Sequence, residues 1–296
     1  MRHLLALLLA VVTLLLVFGC SENPTQPVNS SVDHSIALVQ RPTFIETRPP
    51  EVVAQYTMHL TDPAIMALNK KPVPQPPPDT IEGDPNPNPA HKYAYVIGIS
   101  DYEGTANDLT YCDDDAIAMK AWFQSQGFTV RMDLDGAATG NEIIAGLQWL
   151  IDNADPGDEV AFAYSGHGMK STEGSAIISA DLYYIPHGMV MSYFNAVNCT
   201  KKLATIDACV IGDFNDDVVS GTFMATASDV KYSYDAPDLE HGAWTWYWLD
   251  GVENQGLIYA EEAAPYAEAG FKAWASARHV KVDPIHTDAY DGDMDM

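Results

Sequence analysis

Val160-Ala161-Phe162-Ala163-Tyr164 runs without a break into Ser165-Gly166-His167-Gly168, and further along Leu203-Ala204-Thr205-Ile206 runs into Asp207-Ala208-Cys209. Each apolar run has the length and composition of a buried strand. Each stops at a side chain able to do chemistry. An imidazole and a thiol placed in this way can form a base–nucleophile pair, so the fold and the function turn on whether the two strands lie side by side.

The flanking sequence predicts the kind of sheet that would hold them, and if the two strands are neighbours in it both side chains reach one crevice. Tyr93 to Ile99 is an apolar strand, and Ala116 to Gln126 is helical, with Ile117, Met119, Ala121, Trp122 and Phe123 as apolar positions and Gly127 as a stop. Phe128 to Leu134 is a strand. Thr139-Gly140-Asn141-Glu142 is a capping box opening a helix that runs through Leu150-Ile151. A turn at Asp155-Pro156-Gly157-Asp158 leads into the first quoted strand. Helical character at Met191 to Val197 precedes the second, and a strand at Thr222 to Thr226 follows it. Trp244 to Leu249 and Ala263 to Arg278 read as closing helices. Strands alternating with helices predict an α/β fold with a mainly parallel central sheet and helices on both faces. The functional crevice of such a sheet lies at the carboxyl ends of its strands. A free thiol, with a pKa of ~8.5, is mostly protonated near neutrality, and a histidine beside it can take the proton.

The remaining sequence bounds the function. The chain has 296 residues, a formal net charge of −26 and 47% hydrophobic residues. So acidic a chain repels nucleic acid and favours basic partners. Met1-Arg2-His3 is a basic start, and Leu4 to Phe18 is apolar but shorter than the ~20 residues of a spanning helix. The run closes in Val17-Phe18-Gly19-Cys20, which resembles a bacterial lipobox. That resemblance implies a signal peptide over 1–19, a lipid on Cys20, and membrane attachment through the lipid alone. With Ser21 following the cysteine, the outer membrane of a bacterial envelope is preferred to the inner. Residues 20–91, rich in proline, are expected to be a largely disordered tether, with one short helix near Ala64-Ile65-Met66-Ala67-Leu68. The folded domain is expected at 92–290, and an acidic tail at 291–296. Beyond Cys20, Cys112 and Cys199 are read as small buried residues, although a disulfide between them is not excluded by sequence.

The quoted motifs carry a family resemblance. Tyr95-Val96-Ile97-Gly98-Ile99-Ser100, Leu109 to Ala116, Tyr164-Ser165-Gly166-His167-Gly168 and Ile206-Asp207-Ala208-Cys209 resemble the successive motifs of the caspase-like cysteine peptidases (peptidase C14), in particular the bacterial metacaspase type. Ala225-Thr226-Ala227-Ser228 and His241-Gly242-Ala243-Trp244-Thr245 extend the likeness. The resemblance implies a caspase–haemoglobinase fold and a Cys–His dyad, with Cys209 as nucleophile and His167 as base and then acid. It implies an oxyanion hole from the Gly168 and Cys209 amides, and an S1 pocket lined by Asp115 and Asp207. Two carboxylates in one pocket call for a cation, so the expected substrates are peptides or proteins with arginine or lysine at P1. The plainer account of Asp115 is a helix N-terminal acid, like Asp113 and Asp114.

No cofactor is required by such a dyad. Asp213, Asp216 and Asp217 offer hard oxygens suited to calcium, and a solvated acidic loop explains them more simply. His187, His241, His279 and His286 lack metal-ligand spacing and are expected to be surface or packing residues. Two positions depart from the family pattern: Ile211 replaces a serine after the cysteine, and Tyr111 replaces a glycine before the first helix. Ile211 leaves room for a second reading, a catalytically impaired, envelope-tethered module that binds peptides. The oligomeric state leaves no mark in the sequence.

Overall fold

The computed structural model describes residues 37–45, 48, 49, 52, 73 and 81–296. In chain order the strands are β1 (Val39–Gln40), β2 (Lys92–Gly98), β3 (Thr129–Leu134), β4 (Glu159–Ser165), β5 (Gly168–Ser171), β6 (Gly174–Ile178), β7 (Tyr183–Pro186), β8 (Lys201–Asp207), β9 (Thr222–Thr226), β10 (Asp235–Ala236), β11 (His241–Gly242) and β12 (Ile285–Asp288). The helices are α1 (Cys112–Ser125), α2 (Gly140–Asn153), α3 (His187–Ala196), α4 (Asp213–Asp216), α5 (Ala243–Leu249) and α6 (Ala260–Ala277).

The central sheet has the order β12-β9-β8-β4-β2-β3. Its pairings are parallel except for β12 on β9. The chain leaves β2 for β3 on one side through α1, then returns through α2 to β4 on the other side. The strand order therefore reverses between β2 and β4, which opens a crevice at their carboxyl ends.

Period-two alternation explains why both faces are covered. On β2, Tyr95 and Ile97 join one core and Ala94 and Val96 the other; on β4, Phe162 and Tyr164 oppose Ala161 and Ala163. One face is large-featured and packs against Ile143, Leu147 and Leu150 of α2 and Phe194 of α3. The other is built largely of alanines, and its depth is filled by Trp244, Trp248 and Trp274 from α5 and α6, all fully buried. Small residues on the sheet thus match large ones on the helices, as close packing demands. Half of the predicted capping box forms: the Thr139 side chain accepts the Glu142 amide at 3.3 Å and starts α2, while the Thr139 amide donates to the Ala137 carbonyl and the Glu142 carboxylate pairs with Arg131.

A second sheet is a product of the fold that the sequence pattern does not announce. β1, β7, β6 and β5 pair in that order, all antiparallel. It begins one residue after His167. Its strands are short and carry Gly, Ser, Lys and Pro, so no period stands out.

The packed region is wider than residues 92–290. β1 lies on β7, Phe44 is buried, and the Arg41 amide donates to the Leu182 carbonyl at 2.9 Å. At the far end of the sheet the buried Lys201 ammonium lies 2.9 Å from Asp84 and 3.3 Å from Glu159, and pairs also with Asp295. Part of the expected tether and the expected tail are therefore tied to the domain by strand pairing and by a buried cation. The expected signal peptide, Cys20 and the Ala64–Leu68 helix lie outside the described residues. Among the described residues no helix is long and apolar enough to cross a membrane. Cys112, Cys199 and Cys209 are free thiols, all buried, so Cys112 and Cys199 are not bridged.

Candidate active site

β4 and β8 are direct neighbours, and Ser165 on one is in register with Asp207 on the other. The Gly166 amide extends the ladder by donating to the Asp207 carbonyl at 3.1 Å. His167 and Cys209 each stand two residues past that register pair, at the same level of adjacent strands. Both line an open cleft of ≈ 280 Å³ together with Asp207, Asp235, Ser165 and Arg48.

His167 is 4% exposed and is held from every side. Its amide donates to the Tyr102 hydroxyl at 2.8 Å. The Tyr164 hydroxyl lies 2.8 Å from its carbonyl and 2.9 Å from that of Ile178, and the Ile178 amide donates to the same His167 carbonyl at 3.1 Å. The ring sits 4.6 Å from that of Tyr102 and edge-on to Phe44 at 5.4 Å, centroid to centroid. Nε2 is 2.7 Å from the Asn107 backbone carbonyl. A carbonyl can only accept, so Nε2 carries a proton and the neutral ring is left with Nδ1 as its basic nitrogen.

Cys209 opens a tight turn. Val210 adopts φ 50°, a left-handed conformation that a β-branched residue takes only under constraint. The constraint is visible: the Val210 amide donates to the Lys231 carbonyl at 2.9 Å, and its carbonyl accepts the Ser175 hydroxyl at 2.7 Å. The Ser233 amide points at the Cys209 sulfur from 3.3 Å. Gly168 passes so close to the Cys209 carbonyl that a Cβ there would overlap it. Ile211 is fully buried, with its Cγ2 under Gly168. It packs beneath the turn and does not line the cleft, so the departure from the family's serine falls outside the reactive space. Tyr111 caps the start of α1.

Beside His167 and Cys209 lies an acidic recess. Asp207 lines the cleft; its carboxylate accepts the Ser233 hydroxyl, the Thr245 amide at 3.0 Å and the Thr245 hydroxyl at 2.9 Å. Asp115 is 0% exposed and stands behind it, accepting the Ser165 hydroxyl at 2.7 Å and the Gly242 amide at 3.0 Å. Gly242 separates the two acids: a Cβ on it would collide with an oxygen of each. Burial and the neighbouring Asp115 charge push Asp207 up to about 7, and burial raises Asp115 against the pull of its partners. Asp115 is thus more than a helix-terminal acid, unlike Asp113, which accepts the Ser100 hydroxyl at 2.6 Å.

Three participants escaped the sequence reading. Asp235 lines the cleft, accepts the Thr110 amide at 2.8 Å and is raised by burial. His241 is no surface residue by role: its Nδ1 lies 2.9 Å from Asp115, and that hydrogen bond raises its pKa. The Asn107 carbonyl orients the imidazole, and a backbone carbonyl has no sequence signature. His241 stood in the sequence only as the first residue of His241-Gly242-Ala243-Trp244-Thr245, and Asp235 lies outside every stretch that carried a signal. Cys112 also lines the cleft; burial and the nearby Asp235 hold its thiol well above the ordinary range.

Asp213, Asp216 and Asp217 do not share a site. Asp213 pairs with Lys170 and accepts the Ser175 amide at 2.7 Å, while Asp217 pairs with His187 at 2.6 Å. Among the described residues no group of three or more His, Cys, Asp and Glu is set to hold a metal ion. His286 pairs with Glu268 at 2.7 Å.

Residues 91–266 match the caspase-domain family, peptidase C14, and the chain belongs to it. The mainly parallel sheet flanked by helices is the fold that membership entails. The chain is 28% identical over 158 residues to metacaspase-2 of Arabidopsis thaliana, covering 44% of this chain and 37% of that protein. It is 35% identical over 88 residues to metacaspase-2 of Trypanosoma brucei brucei, covering 26% of this chain and 25% of that protein. The chain thus spans well under half the length of these curated relatives. Its fold resembles that of a Geobacter sulfurreducens protein solved as a structural-genomics target, with a TM-score of 0.53 and 17% identity over 70% of this chain and 97% of the other.

Proposed function

We propose that this chain is a cysteine endopeptidase that cuts peptide bonds after arginine or lysine. The observation that carries the reading is the His167 Nε2 bond to the Asn107 carbonyl, which leaves Nδ1 as the base in the cleft that Cys209 shares. Cys209 gives its proton to that nitrogen, and the thiolate attacks the substrate carbonyl. The C–N bond breaks as the imidazolium returns the proton to the leaving amine, and water then hydrolyses the thioester with His167 again as base. The Gly168 and Cys209 amides are the donors for the developing oxyanion. The mechanism itself calls on no cofactor.

The acidic recess supports basic specificity. Asp207, Asp235 and Asp115 crowd negative charge into little volume, and Asp207 is raised by its burial and by the Asp115 charge behind it. A guanidinium or ammonium entering there relieves both carboxylates at once. The N-terminal sequence supports lipid attachment at Cys20 and an envelope location. Fatty-acid labelling of wild type and Cys20→Ser would check that point independently.

The test is turnover of fluorogenic peptides with Arg, Lys or Asp at P1 by the full chain and by Cys209→Ala. Turnover of the basic peptides that vanishes in the variant is the expected result. Preference for Asp, or activity surviving in Cys209→Ala, would sink the proposal. Peptide binding with no turnover at all would make the domain a binding module.

A further inference from the structure

The cleft is not open along its whole length, and the chain itself fills part of it. β1 is docked on β7 with Val39 opposite Tyr184 and Gln40 opposite Tyr183. The Arg41 guanidinium lies over the Tyr184 ring at 4.6 Å. Phe44 follows, 5% exposed, wedged edge-on between the rings of His167 and Tyr184 at 5.4 and 5.7 Å. Arg48 then lines the same cleft as His167, Cys209, Asp207 and Asp235, with its guanidinium 5.0 Å from the Tyr234 ring centroid. Burial raises the Asp235 carboxyl, and the Arg48 charge is among the groups that offset part of that rise.

From these contacts we infer that the N-terminal segment is a built-in pseudo-substrate, with Phe44 covering the catalytic imidazole and Arg48 placing its guanidinium in the recess meant for the substrate's basic side chain. The inference rests on the reading of that recess as a basic-residue pocket, and it adds what occupies the pocket at rest. Three features favour a held occupant over a consumed one. The segment is tethered by strand pairing, so its local concentration at the cleft is on the order of millimolar, enough to compete with most substrates. Arg48 is followed by Pro49, so the bond after it is a tertiary amide whose nitrogen bears no hydrogen and whose ring crowds the departing side. Phe44 loses its burial if the segment lifts, which adds an apolar contribution to retention.

The experiment uses the full chain as wild type, Arg48→Ala, Arg48→Gln and Arg48→Lys. Arg48 is half-buried and outside both cores, so the substitutions leave the fold intact, and matching thermal unfolding confirms it. Two rates are read: turnover of an Arg-P1 peptide, and alkylation of Cys209 by neutral iodoacetamide, located by peptide mass spectrometry. Both are expected to rise about tenfold or more in Arg48→Ala and Arg48→Gln and to stay near wild type in Arg48→Lys, the intact mass of the wild type showing no break after Arg48. Equal rates in all four proteins would overturn the inference while leaving the peptidase reading in place. Faster alkylation without any peptide turnover would uphold the occupied recess and overturn the peptidase reading. A wild-type chain found cut between Arg48 and Pro49 would overturn it too, by making the segment a substrate.

Discussion

Ser165 and Asp207 face each other across the ladder that joins β4 to β8, and the chain leaves each strand two residues later, at His167 and Cys209. The register of one parallel strand pair therefore sets the level of both reactive side chains. A one-residue slip would turn every side chain of the strand to the other face, so the hydrophobic cores that fix the register also fix the site.

If the imidazole is the base, His167→Ala lowers kcat by about 10²–10⁴-fold for any P1 residue the enzyme accepts. The circular-dichroism spectrum should not change. A loss smaller than tenfold would remove His167 from the proton path.

Tyr102 is expected to act through the base. In Tyr102→Phe the buried His167 amide loses its acceptor, at a cost of about 1–3 kcal/mol in unfolding free energy. Urea denaturation measures this directly. An unchanged midpoint would show that the hydroxyl contributes nothing to holding the ring.

Asp207 carries a pH signature. Its folded-state pKa is raised to about 7 by burial and by Asp115, above an unfolded value of ~3.9. The folded state therefore binds the extra proton between those values. The contribution to stability is full below about pH 4 and is lost as pH rises through about 7. Asp115 acts with the same sign, since burial raises it as well. Thermal unfolding followed from pH 4 to 8 should show wild type losing stability over that window and Asp207→Asn following a flatter curve. Parallel curves would mean the carboxylate is ionised throughout.

The same substitution tests specificity. If the recess takes a basic P1 side chain, Asp207→Asn removes one of the charges facing it, and kcat/KM for an Arg-P1 peptide should fall by about thirtyfold or more, from the 2–5 kcal/mol typical of a buried charge pair losing one partner. A drop in kcat alone with KM unchanged would move Asp207 out of the binding recess.

Much of this was legible in the chain. The strands around Ala94–Ile97 and Val160–Tyr164 announce themselves because both faces are buried and the runs are uninterrupted, and Thr139 with Glu142 marks the start of α2 by local chemistry. His167 and Cys209 were visible because each ends such a run. Asp235 and His241 were not, because their partners Cys112 and Asp115 lie 123 and 126 residues away, and no local pattern encodes a contact that only the closed sheet creates. The packing of Phe44 was hidden for a different reason: proline-rich composition signals weak local structure, while docking on β7 is decided by tertiary contact. Ile211 looked like damage to the site in one dimension and is core packing in three.

The bond between the Ile178 amide and the His167 carbonyl spans the seam between the two sheets. That amide is a natural gauge of how firmly the imidazole is seated. Its hydrogen can exchange with solvent deuterium only when the hairpin of β5 and β6 pulls away from the end of β4. A single backbone probe, read by mass spectrometry or NMR, thus reports how firmly the His167 ring is held without any substrate, and a ligand that settles the ring would slow that one clock before any change in shape could be seen.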